Sequence, residues 1–399
     1  MANEHTPLLG FENVRHRPTF KWLAAVFAVA FLVASVMLVR IGVENTNLKQ
    51  QIMQKAEVAT TAVLSPESDF VRRRGRMSAA NRAKRAYVMD ELTQGFFPEG
   101  YVPSWETYSS EDLPKDWDWR NVSGVNYLTP NKQQHLPVYC GGCWAFASVQ
   151  SLNDRIHIAR NASFPPVGLA HQVLLNCQDC GDCEEGGDGA CVYGYAHKYG
   201  MPDETCQPYQ ARTGVECIEG KKKGTKHCNA ECLCKNAEAD RKTMYAITEY
   251  RKWYVGAHGR LPTMNIHAMK SEIYAHGPII CGIACTDNFE YNYAGGIFAE
   301  KTNWTIDDFD HEVAVSGWGV DENTGEEYWL VRNTWGMFWG EQGWFKLKMG
   351  VDNMGVEAQC HYAIIDLDQS AELPPIPLSK YYTPPPTPTP KHKKGKNSS

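Results

Sequence analysis

Tyr139-Cys140-Gly141-Gly142-Cys143-Trp144-Ala145-Phe146 sets a cysteine directly before a run of helical character. From Trp144 to Arg160, good helix formers such as Ala145, Ala147, Leu152, Ile156 and Ala159 repeat apolar side chains at three- and four-residue steps, which predicts a helix with Cys143 at its N-terminus. A free thiol titrates near about 8.5 and only the thiolate attacks carbonyls quickly; the partial positive charge at a helix N-terminus favours the thiolate, and an imidazolium neighbour favours it more. The chain offers both partners such a thiol needs. The stretch Asp310-His311-Glu312-Val313-Ala314-Val315-Ser316-Gly317-Trp318-Gly319 reads as a buried strand carrying His311 as the base. In Tyr328-Trp329-Leu330-Val331-Arg332-Asn333-Thr334-Trp335-Gly336, Asn333 is placed to accept the second imidazole N–H, with Trp335 and Trp339 to keep water from that bond.

Together with Trp339-Gly340-Glu341-Gln342-Gly343-Trp344, these stretches resemble the papain family of cysteine peptidases, whose catalytic order is Gln, Cys, His, Asn. The resemblance runs over residues 113 to 368 and includes Leu113-Pro114-Lys115-Asp116-Trp117-Asp118-Trp119-Arg120. It implies an α+β fold of two lobes meeting at an active-site cleft, a helical one carrying Cys143 and a β-barrel-like one carrying His311 and Asn333. The activity it implies is hydrolysis of peptides and proteins by acyl transfer through the thiol, without cofactor or metal.

The oxyanion-hole glutamine that fits is Gln134, nine positions before Cys143, where most of the family has six. The inserted segment Gln133-Gln134-His135-Leu136-Pro137-Val138-Tyr139-Cys140 resembles the mini-loop of one carboxypeptidase subfamily, with Leu136 in place of an isoleucine. In that subfamily the loop histidine binds the free C-terminal carboxylate of the substrate, a role that falls here on His135 with Tyr139. A protonated imidazole on a loop that blocks the primed side rewards a carboxylate and excludes longer peptides. Two positions depart from the family pattern. Gly142 replaces the usual serine before the nucleophile, and Cys183-Glu184-Glu185-Gly186-Gly187 carries an extra glutamate before the glycine pair that serves as a candidate substrate contact. The alternatives are an endopeptidase on the same fold and a membrane-tethered, non-catalytic binding or adhesion protein.

None of the 14 cysteines precedes residue 140, and 11 lie between Cys140 and Cys234, which is the usage of a disulfide-stapled domain from an oxidising compartment. By resemblance the bridges are Cys140 with Cys183, Cys177 with Cys217, and Cys206 with Cys228; Cys180, Cys191, Cys285 and Cys360 are left unassigned. Cys140-Gly-Gly-Cys143 also fits a redox C-x-x-C, without the βαβ setting of that motif. Cys177-x-x-Cys180-x-x-Cys183 has the spacing of a metal knuckle, without nearby histidine ligands or a second cysteine pair.

The chain divides into a cytosolic tail (1–20), a transmembrane signal anchor (21–43), a stalk and prosegment (44–112), the peptidase domain (113–370) and a Pro/Lys-rich tail (371–399) expected to be disordered. Trp22 to Val39 is an uncharged, mostly apolar run, about 27 Å long as a helix, enough for a bilayer core. Basic residues flank it on both sides, so the cysteines decide the orientation: the C-terminal side is lumenal and the protein type II. Glu4-His5-Thr6-Pro7-Leu8-Leu9 then resembles an acidic dileucine signal for endosomes and lysosomes. The stalk has no cysteine to cap the nucleophile. Its basic runs Arg72-Arg73-Arg74-Gly75-Arg76 and Arg82-Ala83-Lys84-Arg85 are candidate processing sites, with an activating protease cutting after Arg85 or nearer Leu113 to release a soluble enzyme. Asn121, Asn161, Asn303 and Asn397 head glycosylation sequons. A net charge of −6 gives no reason to invoke nucleic acid.

Overall fold

The computed structural model describes residues 92–177, 180–214, 249–300 and 304–370, Pro377, and a paired strand at each of Cys234–Ala237 and Met244–Ile247. Its helices are α1 (Ser104–Thr107), α2 (Cys143–Ala159), α3 (His171–Cys177), α4 (Gly189–Tyr199), α5 (Ile266–His276) and α6 (Asp287–Asn292). The main sheet is built from β1 (Trp117–Asp118), β2 (Met201–Pro202), β3 (Lys252–Arg260), β4 (Ile279–Ile283), β5 (Ile297–Phe298), β6 (His311–Val320), β7 (Glu327–Arg332), β8 (Trp344–Lys348) and β9 (Cys360–Asp366). Its path is β2-β3-β9-β4-β6-β7-β8-β5, with β1 paired to β6 beside that path. Neighbours are antiparallel except β8 and β5.

Helix α2 starts at Cys143 itself, with Gly142 as an N-cap that contributes no side-chain bond. Every residue from Cys143 to His157 is buried, so the helix is enclosed on all sides and shows no polar face. Its polar side chains are therefore obliged to find partners inside the protein. Ser148 donates to Trp144 O at 2.7 Å, Ser151 to Pro278 O at 2.6 Å, and Asn153 accepts from Leu169 N at 2.9 Å.

Two hydrophobic cores result. The first gathers α2, α3 and α4 with Trp253, Val255, Ile280 and Ala363 from the sheet. The second lies on the sheet, around Ile283, Phe289, Val313, Trp329 and Phe345. Two buried ion pairs join α2 to elements of the second core. Asp154 meets Arg332 of β7 at 2.8 Å, and Arg155 meets Glu272 of α5 at 2.8 Å, all four side chains being 1 % exposed or less. Strand β6 is buried at nine of its ten residues because α2 covers one face and the sheet core the other, so small and apolar residues make up most of it and His311, Glu312 and Ser316 are buried among them.

Residues 92–112, expected as the end of a prosegment, are packed into this body. Leu92 is buried in the helical core, Phe96 pairs with His258 of β3, and Ser104 Oγ donates to Glu272 Oε2 at 2.7 Å.

Cys140 is bonded to Cys183, Cys180 to Cys191, and Cys281 to Cys360. Cys177 and Cys206 are also in disulfides, whose partners lie outside the described residues, as do Cys217 and Cys228. All three cysteines of the knuckle spacing are thus in disulfides, and Cys140 bridges away from Cys143, which keeps its thiol. Asn121 and Asn161 are exposed; Asn303 lies outside the described residues. The expected cytosolic tail and anchor lie outside them too. Among the described residues no helix is long and apolar enough to cross a membrane.

Candidate active site

The first residue of α2 places Cys143 against the interior, fully buried, on a segment held from both sides. The Cys140–Cys183 bond and the 2.8 Å hydrogen bond from Gly141 N to Cys183 O tie the turn before the helix to the following loop. Trp144, with no exposure, sends Nε1 to Asp182 O at 3.4 Å and lies flat against Gly187, where a Cβ would run into the indole. Gly187 is thus required by packing on Trp144, in addition to the substrate contact expected of it. Gly186 has φ +80°, a backbone that favours glycine. The extra glutamate is absorbed in a tight turn, in which Asp182 Oδ1 accepts the N–H groups of both Glu184 and Glu185. Gly142, at φ −100°, is under no such demand, and a Cβ there would meet Cys140 Sγ at 3.3 Å and Tyr209 Oη at 3.6 Å.

His311 opens β6 and Asn333 follows the end of β7; both are fully buried. Their side chains meet at 2.8 Å between His311 Nε2 and Asn333 Oδ1. That oxygen also takes the N–H of Thr334 at 2.7 Å, so it must be an acceptor. Nε2 of His311 then carries the proton, and in the neutral ring Nδ1 is the basic nitrogen. Trp335 stacks on the imidazole with ring centres 4.6 Å apart, and Trp339 meets Trp335 edge-on at 5.1 Å. Trp335 thus covers a face of the imidazole that bonds Asn333, and Trp339 packs against Trp335. Arg332, next to Asn333, is fixed by Asp154 and by a 2.9 Å bond from Nη2 to Thr129 O, so the strand end is anchored to α2.

Gln134 has no exposure. Its Nε2 donates to Cys140 O at 3.1 Å, its Oε1 accepts from Thr334 Oγ1 at 2.5 Å, and its backbone N–H reaches Thr334 O at 3.0 Å. Tyr209 donates to the Gln134 carbonyl at 2.6 Å. Thr334 and Tyr209 were not singled out in the sequence. Thr334 lies inside the matching stretch, and its neighbour Asn333 gave the only signal that could have drawn attention to it.

The mini-loop brings His135 and Tyr139 together as parallel rings, 4.7 Å apart and 7° from coplanar directions. Leu136 and Val138 between them point to solvent. Burial holds the His135 imidazole down to about 4, with a backbone contact to Cys140 opposing it in part. The loop's base is locked to the asparagine segment: Gln133 Nε2 donates to Trp335 O at 2.6 Å and Gly336 N to Lys132 O at 3.2 Å. The structure therefore pairs His311 with Asn333, ties Gln134 to Thr334 and to Cys140 O, and packs α2, which begins at Cys143, against β6 and the glycine pair, while His135, next to Gln134 in the chain, stacks on Tyr139. Among the described residues no cluster of His, Cys, Asp or Glu suits a metal ion.

The chain belongs to the papain family of cysteine proteases, whose family model matches residues 113–364, and it is a cysteine peptidase of papain-like, mixed α and β fold. It is 43 % identical over 265 residues to cathepsin Z of Onchocerca volvulus, a match covering 65 % of this chain and 80 % of that protein. It is 31 % identical over 268 residues to cathepsin C of Schistosoma mansoni, covering 64 % of this chain and 53 % of that protein, so it spans about half of that relative's length. Among solved structures, the proform of the ragweed pollen cysteine protease Amb a 11 aligns with a TM-score of 0.53 at 22 % identity, over 75 % of this chain and 77 % of that one, which bears on the fold alone.

Proposed function

We propose that this cysteine peptidase is a carboxypeptidase, taking residues from the free C-terminus of peptides and proteins. The observation that carries the reading is the mini-loop, where His135 and Tyr139 stand stacked next to Gln134. In this mechanism the Cys143 thiolate attacks the last peptide carbonyl. The oxyanion takes N–H donors from the Gln134 amide and the Cys143 backbone, and the proton on His311 goes to the departing amino acid. His311 Nδ1 then takes a proton from water, the thioester is hydrolysed, and the thiol is restored. The substrate's terminal carboxylate sits on His135 with Tyr139 stacked behind the ring, and favours proton uptake by the imidazole. Gly186 and Gly187 line the acyl side.

The staples support a lumenal or secreted setting, and the apolar run from Trp22 to Val39 supports a type II anchor, with endosomal or lysosomal sorting through Leu8-Leu9 and glycans on Asn121 and Asn161.

The test uses the processed enzyme and its Cys143→Ala control at acid pH under mild reduction, with one peptide in free-acid and C-terminally amidated forms. Loss of one residue at a time from the free acid alone is expected. Internal cuts in both forms would make the enzyme an endopeptidase, and no Cys143-dependent cleavage would favour a binding role.

A further inference from the structure

We infer that Glu312 is a positioning residue for the reaction: its buried carboxylate ties the start of β6, and with it His311, to the first turn of α4 beside the glycine pair.

Successive residues of a strand point to opposite faces, so while His311 turns to Asn333, its neighbour Glu312 turns the other way. Glu312 is 4 % exposed, and its Oε2 takes the N–H of Gly189, the first residue of α4, at 3.0 Å. That N–H is one of those a helix leaves without an intrahelical partner, and the partial positive charge of the helix start favours a carboxylate there. Asp188, 6 % exposed, caps the same turn by accepting the Ala190 N–H at 2.9 Å, and its own N–H goes to Cys180 O at 3.0 Å. The start of α4 is thus fixed from its own side, and Glu312 fastens the histidine strand to it.

Gly189 is a second, independent mark of this junction. It lies in helical backbone, so its lack of a side chain answers to space and not to conformation. A Cβ there would stand 2.5 Å from Glu312 Oε1, 2.5 Å from Ser148 Oγ of α2 and 2.6 Å from Ile280 Cδ1 of β4. Three elements close on one point, and the carboxylate has room because residue 189 brings no side chain to it.

The junction completes a chain of contacts across the floor of the site. Trp144, next to Cys143, lies against Gly187; Gly187 leads through Asp188 to Gly189; and Gly189 holds Glu312, next to His311. Asn333 fixes the rotation of the imidazole, whereas Glu312 fixes where its strand begins relative to α4 and α2. Such placement matters because an error of one ångström at a reacting group can cost about a hundredfold in rate. The inference rests on His311 as the partner of the Cys143 thiol.

The experiment follows alkylation of Cys143 by iodoacetamide in the processed enzyme at pH 5 and pH 9.5, together with kcat and KM. It compares the parent with Glu312→Ala, Glu312→Gln, Gly189→Ala and His311→Ala. A thiol on its own, titrating near about 8.5, is almost wholly protonated at pH 5, so alkylation there reports the imidazolium beside it, while at pH 9.5 the thiol ionises unaided. E312A is expected to lose about tenfold in kcat and in the pH 5 rate, with KM and the pH 9.5 rate little changed. E312Q, whose amide oxygen still accepts the Gly189 N–H, is expected to retain most of the parental rate. G189A, whose methyl group displaces the carboxylate, is expected to behave as E312A does, and it carries the test if E312A does not fold. A parental pH 5 rate in E312A or G189A, an equal loss at both pH values, or an E312Q as slow as E312A would overturn the inference. If His311→Ala keeps the parental rate at pH 5, His311 is not the partner of the thiol, and the inference falls together with that reading.

Discussion

Asn333 Oδ1 takes both the Thr334 N–H and His311 Nε2–H, and this pair of bonds sets the tautomer that leaves Nδ1 as the basic nitrogen of the ring. Cys143, His311, Asn333 and Gln134 drew attention in the sequence because each stands in a stretch with its own pattern. Thr334 and Tyr209 were not legible, because their work is to hold Gln134 through bonds that span 200 and 75 residues of chain. Thr334→Val should leave the Gln134 carbonyl oxygen without its short bond and let the amide turn; we expect kcat to fall about tenfold with KM little changed, the effect of one lost hydrogen bond on transition-state stabilisation. His135 sets a pH signature. Its imidazole is held to about 4 in the free enzyme, so above that pH a carboxylate can be met by imidazolium only if a proton is taken up on binding. KM for a free-acid peptide should therefore rise by up to about tenfold per pH unit above pH 4 until the complex itself deprotonates. The amidated peptide, tested as a competitive inhibitor, should show no such slope in its inhibition constant, and His135→Ala should remove the slope for the free acid while alkylation of Cys143 by iodoacetamide continues.

At the level of elements, α2 was legible as a helix to within one residue, but its surroundings were not. The three- and four-residue apolar steps suggest a helix with one buried face, whereas the helix is enclosed, and Asp154 and Arg155 look like ordinary surface charges in the sequence. Only the fold shows that Asp154 answers Arg332 and that Arg155 answers Glu272, since each partner lies more than a hundred residues away. Strand β6 was the reverse case: its alternating small and apolar residues announced a buried strand, and nine of its ten residues are buried. The Asp154–Arg332 pair makes a sharp prediction. Asp154→Asn leaves a guanidinium buried beside α2, and should cost about 3–5 kcal/mol in urea unfolding, because losing one member of a buried pair strands the other. Because Arg332 is next to Asn333, activity should fall before the protein unfolds.

For the whole molecule, the two-lobe plan followed from the resemblance, while the disulfide network was only partly foreseen: Cys180–Cys191 and Cys281–Cys360 join cysteines whose sequence spacing carried no signal. Buried histidines add a stability term of known sign. His171, 1 % exposed between Phe146 and Tyr209, is pushed down to about 3, and His258 to about 4, in each case first by burial. Both folded values lie below the unfolded one of 6.5, so the unfolded chain binds more protons. The stability this provides is complete above pH 6.5 and is lost progressively as the pH falls toward 4 and then 3. Melting temperatures measured from pH 7 to pH 4 should decline, and His171→Phe should flatten the decline, whereas an unchanged slope would show that His171 does not contribute. The described staples have a further consequence. Cys140–Cys183 and Cys180–Cys191 close within the helical core and Cys281–Cys360 within the sheet core, while the two buried ion pairs named between the cores depend on carboxylates. Strong acid, which discharges carboxylates and leaves disulfides intact, should open the molecule as a book opens along its spine, with each cover still bound.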